Sequence, residues 1–398
     1  MNILYIATSF PKPDRGDTIY TDLAEALREA GHALTIVVSE QASNNKTTQL
    51  ITERGLKVLR ITTGDYYGVG FIEKGITSLK IPVLIKKGIK RHLNHHKFDF
   101  LLFESPPVTT VDLVSWAKKR FNCPAYLMLK DIFPQNAVDL GIIKRNSLIH
   151  RFFTGKEEKL YKVADYIGCM SPANRQYIID HNPRLDREKL ELFPNTKRLT
   201  YAFDPVAQPS IRKKLGLSEE TCIFLFGGNM GRPQGIELLC LAVRECKNEK
   251  GIFFLFVGRG SDRWKLEKTI EQGCITNAVV LDDLPRNEFE QIARECNVGL
   301  IVLDPRFTIP NYPSRILTYL DYAKPVLAAT DKATDIKDLI EDAGCGEWVW
   351  SGDDRAFIEK VKEMSRRAEL NELGQSGRAY MESNFLVRHS IAILESHF

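Results

Sequence analysis

Between residues 221 and 237 the chain reads TCIFLFGGNMGRPQGIE, an apolar run that enters a turn carrying Gly227, Gly228, Gly231 and Gly235 before a helical pattern starts at Ile236. A parallel strand, a loop without side-chain bulk and a helix N-terminus together make a seat for phosphate. Backbone amides point outward there, and the helix dipole adds roughly half a positive charge. Arg232 places a full charge in the same loop. The alternative for Arg232, a solvated surface residue, leaves its glycine neighbours unaccounted for.

A second element of this kind comes late in the chain, in FTIPNYPSRILTYLDYAKPVLAAT. Pro313 and Ser314 resemble a helix start, with the serine as cap. Arg315 falls in the first turn, and Ile316, Leu317 and Leu320 form an apolar stripe. Helix starts at Ile236 and Ser314 can converge on one pyrophosphate, with Arg232 and Arg315 as counter-charges; Arg315 can equally be a solvated side chain.

Weaker signals lie in the first half. A loop at residues 8–17 holds Gly16 among Asp14, Arg15 and Asp17. FESPP (103–107) and LKDIFPQNAVDLG (129–141) follow apolar runs, so that Glu104, Lys130, Asp131 and Gln135 project from strand ends. A carboxylate there can hold or deprotonate a substrate hydroxyl. Asp131 can instead cap the segment that follows it, and for Glu104 a structural role is the simpler reading. Residues 71–97 are rich in lysine, arginine and histidine with aliphatics between. Such a segment suits an anionic membrane surface, or a surface helix whose Ile85, Ile89 and Leu93 face the core. His92, His95 and His96 have no carboxylate or cysteine at ligand spacing, so no metal site is expected. No G-x-x-x-x-G-K-[ST] loop occurs, which disfavours ATP hydrolysis.

The elements that must position these residues follow from period and length. At 398 residues the chain suits two domains of about 200 each. With 43% hydrophobic and 27% charged residues it reads as a soluble globular protein, and a net charge of +4 is too small to argue for nucleic acid. Apolar runs at 2–7, 33–38, 57–61, 98–103, 124–129, 165–170 and 189–193 alternate with helical patterns such as 20–30. That alternation predicts a parallel sheet covered on both faces. The pattern restarts after a proline-bearing linker at 201–210, with strands expected at 222–226, 252–257, 278–281, 298–303, 325–329 and 347–350. Two doubly wound α/β domains are therefore predicted, at 1–200 and 205–380, with strand ends toward a central cleft. A final helical segment, 361–398, can bend at Gly374 or Gly377 and return to the first domain over about 381–398. The eight cysteines form no C-x-x-C pair and read as reduced thiols. With no signal-like segment before the first strand and no apolar run of about 20 residues, a cytoplasmic protein is expected.

With these residues in view, the sequence resembles the GT-B glycosyltransferases, in particular retaining family 4 and its sugar-nucleotide enzymes of bacterial surface-polysaccharide assembly. The likeness covers nearly the whole chain and rests on GGNMGRPQGIE, on ESPPVTTVDL followed by LKDIFPQNAVDLG, on ADYIGCMSPANRQYI leading to FPN (193–195), and on PSRILTYLDYAKPVLA. It implies that the second domain binds a nucleotide-activated sugar, UDP-linked in the first instance, and that the first binds a carbohydrate or lipid-linked acceptor. It further implies transfer of a hexosyl or N-acetylhexosaminyl group with retention and without a metal or other cofactor. Gly231 and Arg232 match the loop on the donor phosphates, with Gly228, Asn229 and Gly258 beside it. Gly16 matches the glycine loop near the distal phosphate, and Asp131 a polar position of the related D-x-W-P segment. Asp131 and Arg232 are thus the expected catalytic residues. Ser314, Arg315 and Thr318 join the expected donor contacts, and Glu104 and Lys130 the acceptor contacts. Many relatives carry two glutamates before the K-P-V strand; here those positions are Pro310 and Thr318, and a frequent loop lysine is Gln234. Thr318 can still donate one hydrogen bond to a ribose, and Asp321 lies one turn on. A sugar-nucleotide epimerase and a non-catalytic partner subunit remain the alternatives, and weak association with the inner face of the membrane is expected.

Overall fold

In the computed structural model, which describes residues 1–41, 43, 47–64, 71–199 and 210–398, the chain divides into two compact units. The first comprises Met1–Lys197 with Val387–Phe398, the second Arg198–Leu386. The linker expected at 201–210 lies, but for Ser210, outside the described residues.

Eight strands build the first unit: β1 (Asn2–Ala7), β2 (Ala33–Gln41), β3 (Gln49–Glu53), β4 (Leu56–Thr63), β5 (Phe100–Ser105), β6 (Ala125–Leu129), β7 (Tyr166–Cys169) and β8 (Leu190–Leu192). Their order is β3-β4-β2-β1-β5-β6-β7-β8. All pair in parallel except β3 with β4. Strand order reverses between β1 and β5, so the loops after these two strands diverge and leave a crevice at their carboxyl ends. Nearly every residue of β1, β5 and β6 is buried, as expected of strands covered on both faces.

The hairpin β3–β4 was not foreseen from sequence. Its two turn residues, Arg54 and Gly55, both have positive φ (53° and 70°), the geometry that fits the twist of a two-residue hairpin. Asparagine or aspartate is the usual signal in the first position. Arg54 is held there instead by its side chain, which donates to the Gly16 carbonyl at 2.6 Å and to Glu25 at 3.0 Å and pairs with Asp17.

The second unit carries β9 (Cys222–Gly227), β10 (Ile252–Val257), β11 (Ala278–Leu281), β12 (Val298–Val302), β13 (Val326–Thr330) and β14 (Gly346–Trp350), all parallel, in the order β11-β10-β9-β12-β13-β14. Strand order reverses between β9 and β12. Phe224, Phe226, Phe254 and Phe256 pack across β9 and β10 with ring centroids 5.7–6.4 Å apart. They fix the end of β9, from which the glycine loop departs.

The final helical segment is three helices, Asp354–Met364, Leu370–Asn384 and Val387–Glu395. The bend expected at Gly374 or Gly377 is absent. Both are buried inside Leu370–Asn384 because they are contact points: a Cβ on Gly374 would lie 1.9 Å from the Ala323 carbonyl, and one on Gly377 2.7 Å from Leu320. The last helix packs Ile391 and Leu394 into the first unit's core beside Tyr5 and Phe100.

Candidate functional site

In the second unit the glycine loop leaves β9 at the strand-order reversal. Gly228 and Asn229 are exposed at its tip, whereas Met230 is fully buried in the core. Met230 anchors the loop: its N–H donates to the Arg259 carbonyl at 2.7 Å, and its carbonyl accepts from Asp262 N–H at 2.9 Å. Gly228 N–H donates to the Val257 carbonyl. The expectation that the loop's amides point outward is therefore corrected for two of them, which bind the end of β10 and the loop after it. Gly258 belongs to that second loop, where it serves close packing: a Cβ there would lie 2.0 Å from the Gly228 carbonyl, and one on Gly260 2.2 Å from Met230.

After the tip, Gly231 caps a 3-10 turn, Arg232–Gln234, and Gly235 adopts a left-handed conformation before the helix Ile236–Glu245. Arg232 is exposed and makes no hydrogen bond or ion pair among the described residues. Arg315 differs. Its guanidinium stacks over the Phe226 ring at 4.2 Å and donates to Gln234 of the loop, while its Nη1 is buried without a partner. Burial holds its pKa below the ordinary arginine value. A desolvated guanidinium with an unsatisfied N–H is favourable ground for an anion. The reading of Arg315 as a solvated side chain is thus corrected.

Tyr319 puts Arg315 there. Its hydroxyl lies 2.9 Å from the Leu225 carbonyl and 3.2 Å from that of Leu300, and accepts from Gly227 N–H at 3.2 Å. This pins the helix Arg315–Asp321 beneath the ends of β9 and β12. Ser314 stands at the cap position, but its side chain makes no capping bond. The helix is only seven residues long, so this element brings a guanidinium rather than a helix terminus. Thr318 is half-buried on it. Asp321 is buried and accepts from Arg378 at 2.8 Å, which removes it as a ribose ligand.

In the first unit, four of the sequence motifs meet. Lys130, after β6, donates from Nζ to Asn195 Oδ1 at 2.8 Å and lies 5.3 Å above the Phe193 ring; Asn195 in turn reaches the Met170 sulfur at 3.7 Å. Burial lowers the Lys130 pKa to about 8 against the pull of Glu104. Glu104, at the end of β5, is 4% exposed and accepts from the Tyr5 hydroxyl. Burial raises its pKa to about 7. Asp131 accepts from Ile132 N–H at 2.8 Å and from the Asn136 side chain, with burial raising its pKa to about 6. Of the two roles open to it, capping its own loop is the one these bonds describe. Gln135 turns to Asp139 and does not project from the strand end as expected. Gly16 is placed by Arg54.

A cavity of about 850 Å³ opens at the carboxyl ends of β1, β2, β4 and β5. Glu104 lines it, together with Thr8, Lys12, Ser39 and Glu40; Lys130, Asp131 and Gly16 do not. Glu40 escaped the sequence reading because the apolar run ends at Val38, whereas the strand continues to Gln41. It is 9% exposed, its Oε1 pairs with Lys12 at 2.9 Å, and its Oε2 is buried without a partner among the described residues. Glu104 binds more protons in the folded than in the unfolded chain between its ordinary value of 4.5 and about 7. Stability must therefore fall as pH rises through that window, by up to about 3 kcal/mol. Glu104→Gln should reduce the fall in stability between about pH 5 and about pH 8 in urea melts by that amount, leaving the part due to Asp131 and Glu157; an unchanged fall would exclude the assignment.

The aliphatic stripe of the basic segment at 71–97 turns inward. Ile85, Ile89 and Leu93 are buried, and Lys86 and Lys90 lie over Trp116 at 5.3 and 5.7 Å. Among the described residues no helix is long and apolar enough to cross a membrane.

No protein-family model matches the chain. It is 24% identical over 259 residues to the probable glycosyltransferase WbjE of Pseudomonas aeruginosa, covering 65% of this chain and 64% of that one. It is 24% identical over 160 residues to WcaI of Escherichia coli K12, provisionally described as a colanic acid biosynthesis glycosyl transferase, covering 39% and 38%. The matched region thus spans less than two thirds of either relative. In structure it is similar to Alr3699/HepE of Anabaena, solved in complex with UDP-glucose, with a TM-score of 0.73 at 16% identity over 100% of this chain and 99% of that one. Motifs, sequence likeness and fold agree: the chain is a homologue of glycosyltransferases and is built on their GT-B fold.

Proposed function

We propose that the chain transfers a hexosyl or N-acetylhexosaminyl group from a nucleoside diphosphate sugar, UDP-linked in the first instance, to a hydroxyl of a carbohydrate or lipid-linked acceptor in bacterial surface-glycan synthesis. The observation that carries this reading is the buried, unpartnered Nη1 of Arg315 beside the exposed glycine tip and Arg232. As the glycosidic bond breaks, negative charge gathers on the leaving diphosphate. The Arg315 guanidinium, held by Phe226 and Gln234, stabilises it most in the transition state without reorganisation, and Arg232 adds a second positive charge from the glycine loop. Retention and independence of a metal are adopted from family likeness. The floor of the first unit's cavity suits the acceptor's chemistry. The Glu40 oxygen without a partner and the Glu104 carboxyl accept hydrogen bonds from hydroxyls and disfavour a phosphate in the same place.

The absence of a carboxylate at Thr318, with Asp321 bound to Arg378, favours a second reading, a partner subunit that binds no donor. A thermal-shift screen against a panel of sugar nucleotides separates the two. A ligand at 100 times its Kd stabilises by about 2.7 kcal/mol, so UDP-sugars should raise the melting temperature by several degrees. No response to any nucleotide would end the transferase reading. Consumption of donor without acceptor would point to an epimerase.

A further inference from the structure

We propose that residues 142–152 of the first unit form a docking surface for an anionic lipid bilayer. Four of the eleven large apolar side chains exposed among the described residues fall in this short stretch: Ile142, Leu148, Ile149 and Phe152. Leu148 is 84% exposed and Ile149 59%. The helix Leu148–Val163 places Leu148, Ile149 and Phe152 at spacings of one, three and four residues, so they share one face. The flank next to Ile149 and the far side are fixed to the fold: Phe153 packs edge-on against Phe133 at 4.9 Å, and Leu160 and Tyr161 are buried. Ile142 is held in the preceding turn by its N–H, which donates to the Ala137 carbonyl at 2.8 Å. Phe152 packs against Phe153 at 5.2 Å with Lys156 over its ring at 5.8 Å, and still leaves 45% of its surface exposed; a patch this apolar on a rigid support marks an interaction site.

Charge selects the occupant. From residue 140 to 156 there is no aspartate or glutamate, while Lys144, Arg145, Arg151 and Lys156 are present. Lys156 is paired with Asp112. Lys144, Arg145 and Arg151 are exposed and form no ion pair among the described residues. Large apolar side chains interspersed along the chain with exposed cations that form no ion pair among the described residues match a headgroup layer, in which the rings and aliphatics enter the acyl boundary and the cations meet phosphate. The segment at 71–97, which composition alone marks as the lipid-facing one, has its stripe in the core. The surface rests on the proposed function for its purpose, bringing the enzyme to a lipid-linked acceptor, but not for its chemistry.

The test is co-sedimentation of the full chain with vesicles of phosphatidylglycerol and phosphatidylcholine, or of phosphatidylcholine alone, at low and high salt. Wild type should bind the anionic vesicles and lose affinity as salt rises. A variant carrying Leu148→Ser, Ile149→Ser and Phe152→Ser should bind at least about tenfold less. Replacing Lys144, Arg145 and Arg151 by serine should cost about fivefold for each cation. Circular dichroism and nucleotide-sugar thermal shifts on the same variants should stay as in wild type. No binding of wild type to anionic vesicles, or equal binding by the apolar variant, overturns the proposal. So does an oligomer that the apolar variant converts to monomer with vesicle binding unchanged, because the patch would then join copies of the chain. If wild type binds vesicles but no sugar nucleotide, the transferase reading fails while the surface stands.

Discussion

Arg232→Ala should lower turnover by a factor on the order of 10²–10³, while urea unfolding shifts by no more than about 0.5 kcal/mol. The asymmetry follows from what the side chain touches. Arg232 is exposed at the edge of the glycine loop and bonds to nothing among the described residues, so its removal takes no packing with it. Its whole effect must then be on the charge that builds up on a departing diphosphate. Arg315→Ala should behave otherwise, lowering turnover and stability together, because it also removes the stack on Phe226 and the bond to Gln234. Lysine should not rescue Arg315, since a point charge can neither stack on the ring nor serve Gln234 and a phosphate at once. Steady-state kinetics paired with urea melts separate the cases. Undiminished turnover in Arg232→Ala would remove the arginine from the site.

The largest structural effect should come from a single methyl group. Gly258 has φ near +141°, which an L side chain rarely adopts, and a Cβ there would sit 2.0 Å from the Gly228 carbonyl. Gly258→Ala must push two backbone segments apart. Backbone strain of about 1–3 kcal/mol adds to overpacking of similar size, for a total loss of roughly 3–5 kcal/mol. Because the displaced partner is the tip of the donor loop, nucleotide affinity should fall in parallel, measurable by calorimetry on whatever folds. Wild-type melting and affinity in Gly258→Ala would show that the two loops are not pressed together.

How much of this was legible beforehand depends on whether the deciding contact was local. The central strands were, because burial on both faces writes itself as an unbroken apolar run; β1 and β10 begin and end where the sequence placed them. The hairpin β3–β4 was not, because its turn is stabilised by Arg54 reaching Gly16 and Glu25, residues about 30 to 40 positions away. In the same way, Gly374 reads as a bend by type but is a packing point by contact with Ala323. The site divides along the same line. Glycines at 228, 231 and 235 and Arg232 announce themselves within one turn of chain. The burial of Arg315 against Phe226, the anchoring by Met230 and the Tyr319 hydroxyl shared by two strands depend on tertiary neighbours. Glu40 and Glu104 stand on separate strands, and only the fold brings both to one cavity.

Val387 N–H donates to the Lys197 carbonyl at 3.2 Å, so the chain leaves the first unit and rejoins it at neighbouring points. This fixes an order of events on the ribosome. The side chains that close the first unit's core, Ile391 and Leu394, are made only after all of 198–386 has been polymerised. The core of the segment translated first thus cannot close until residues 387–398 emerge, and its floor stays open while the segment translated second is made. Such a nascent intermediate carries exposed apolar surface for the whole interval, and a chain shortened by its last dozen residues would remain in that state permanently.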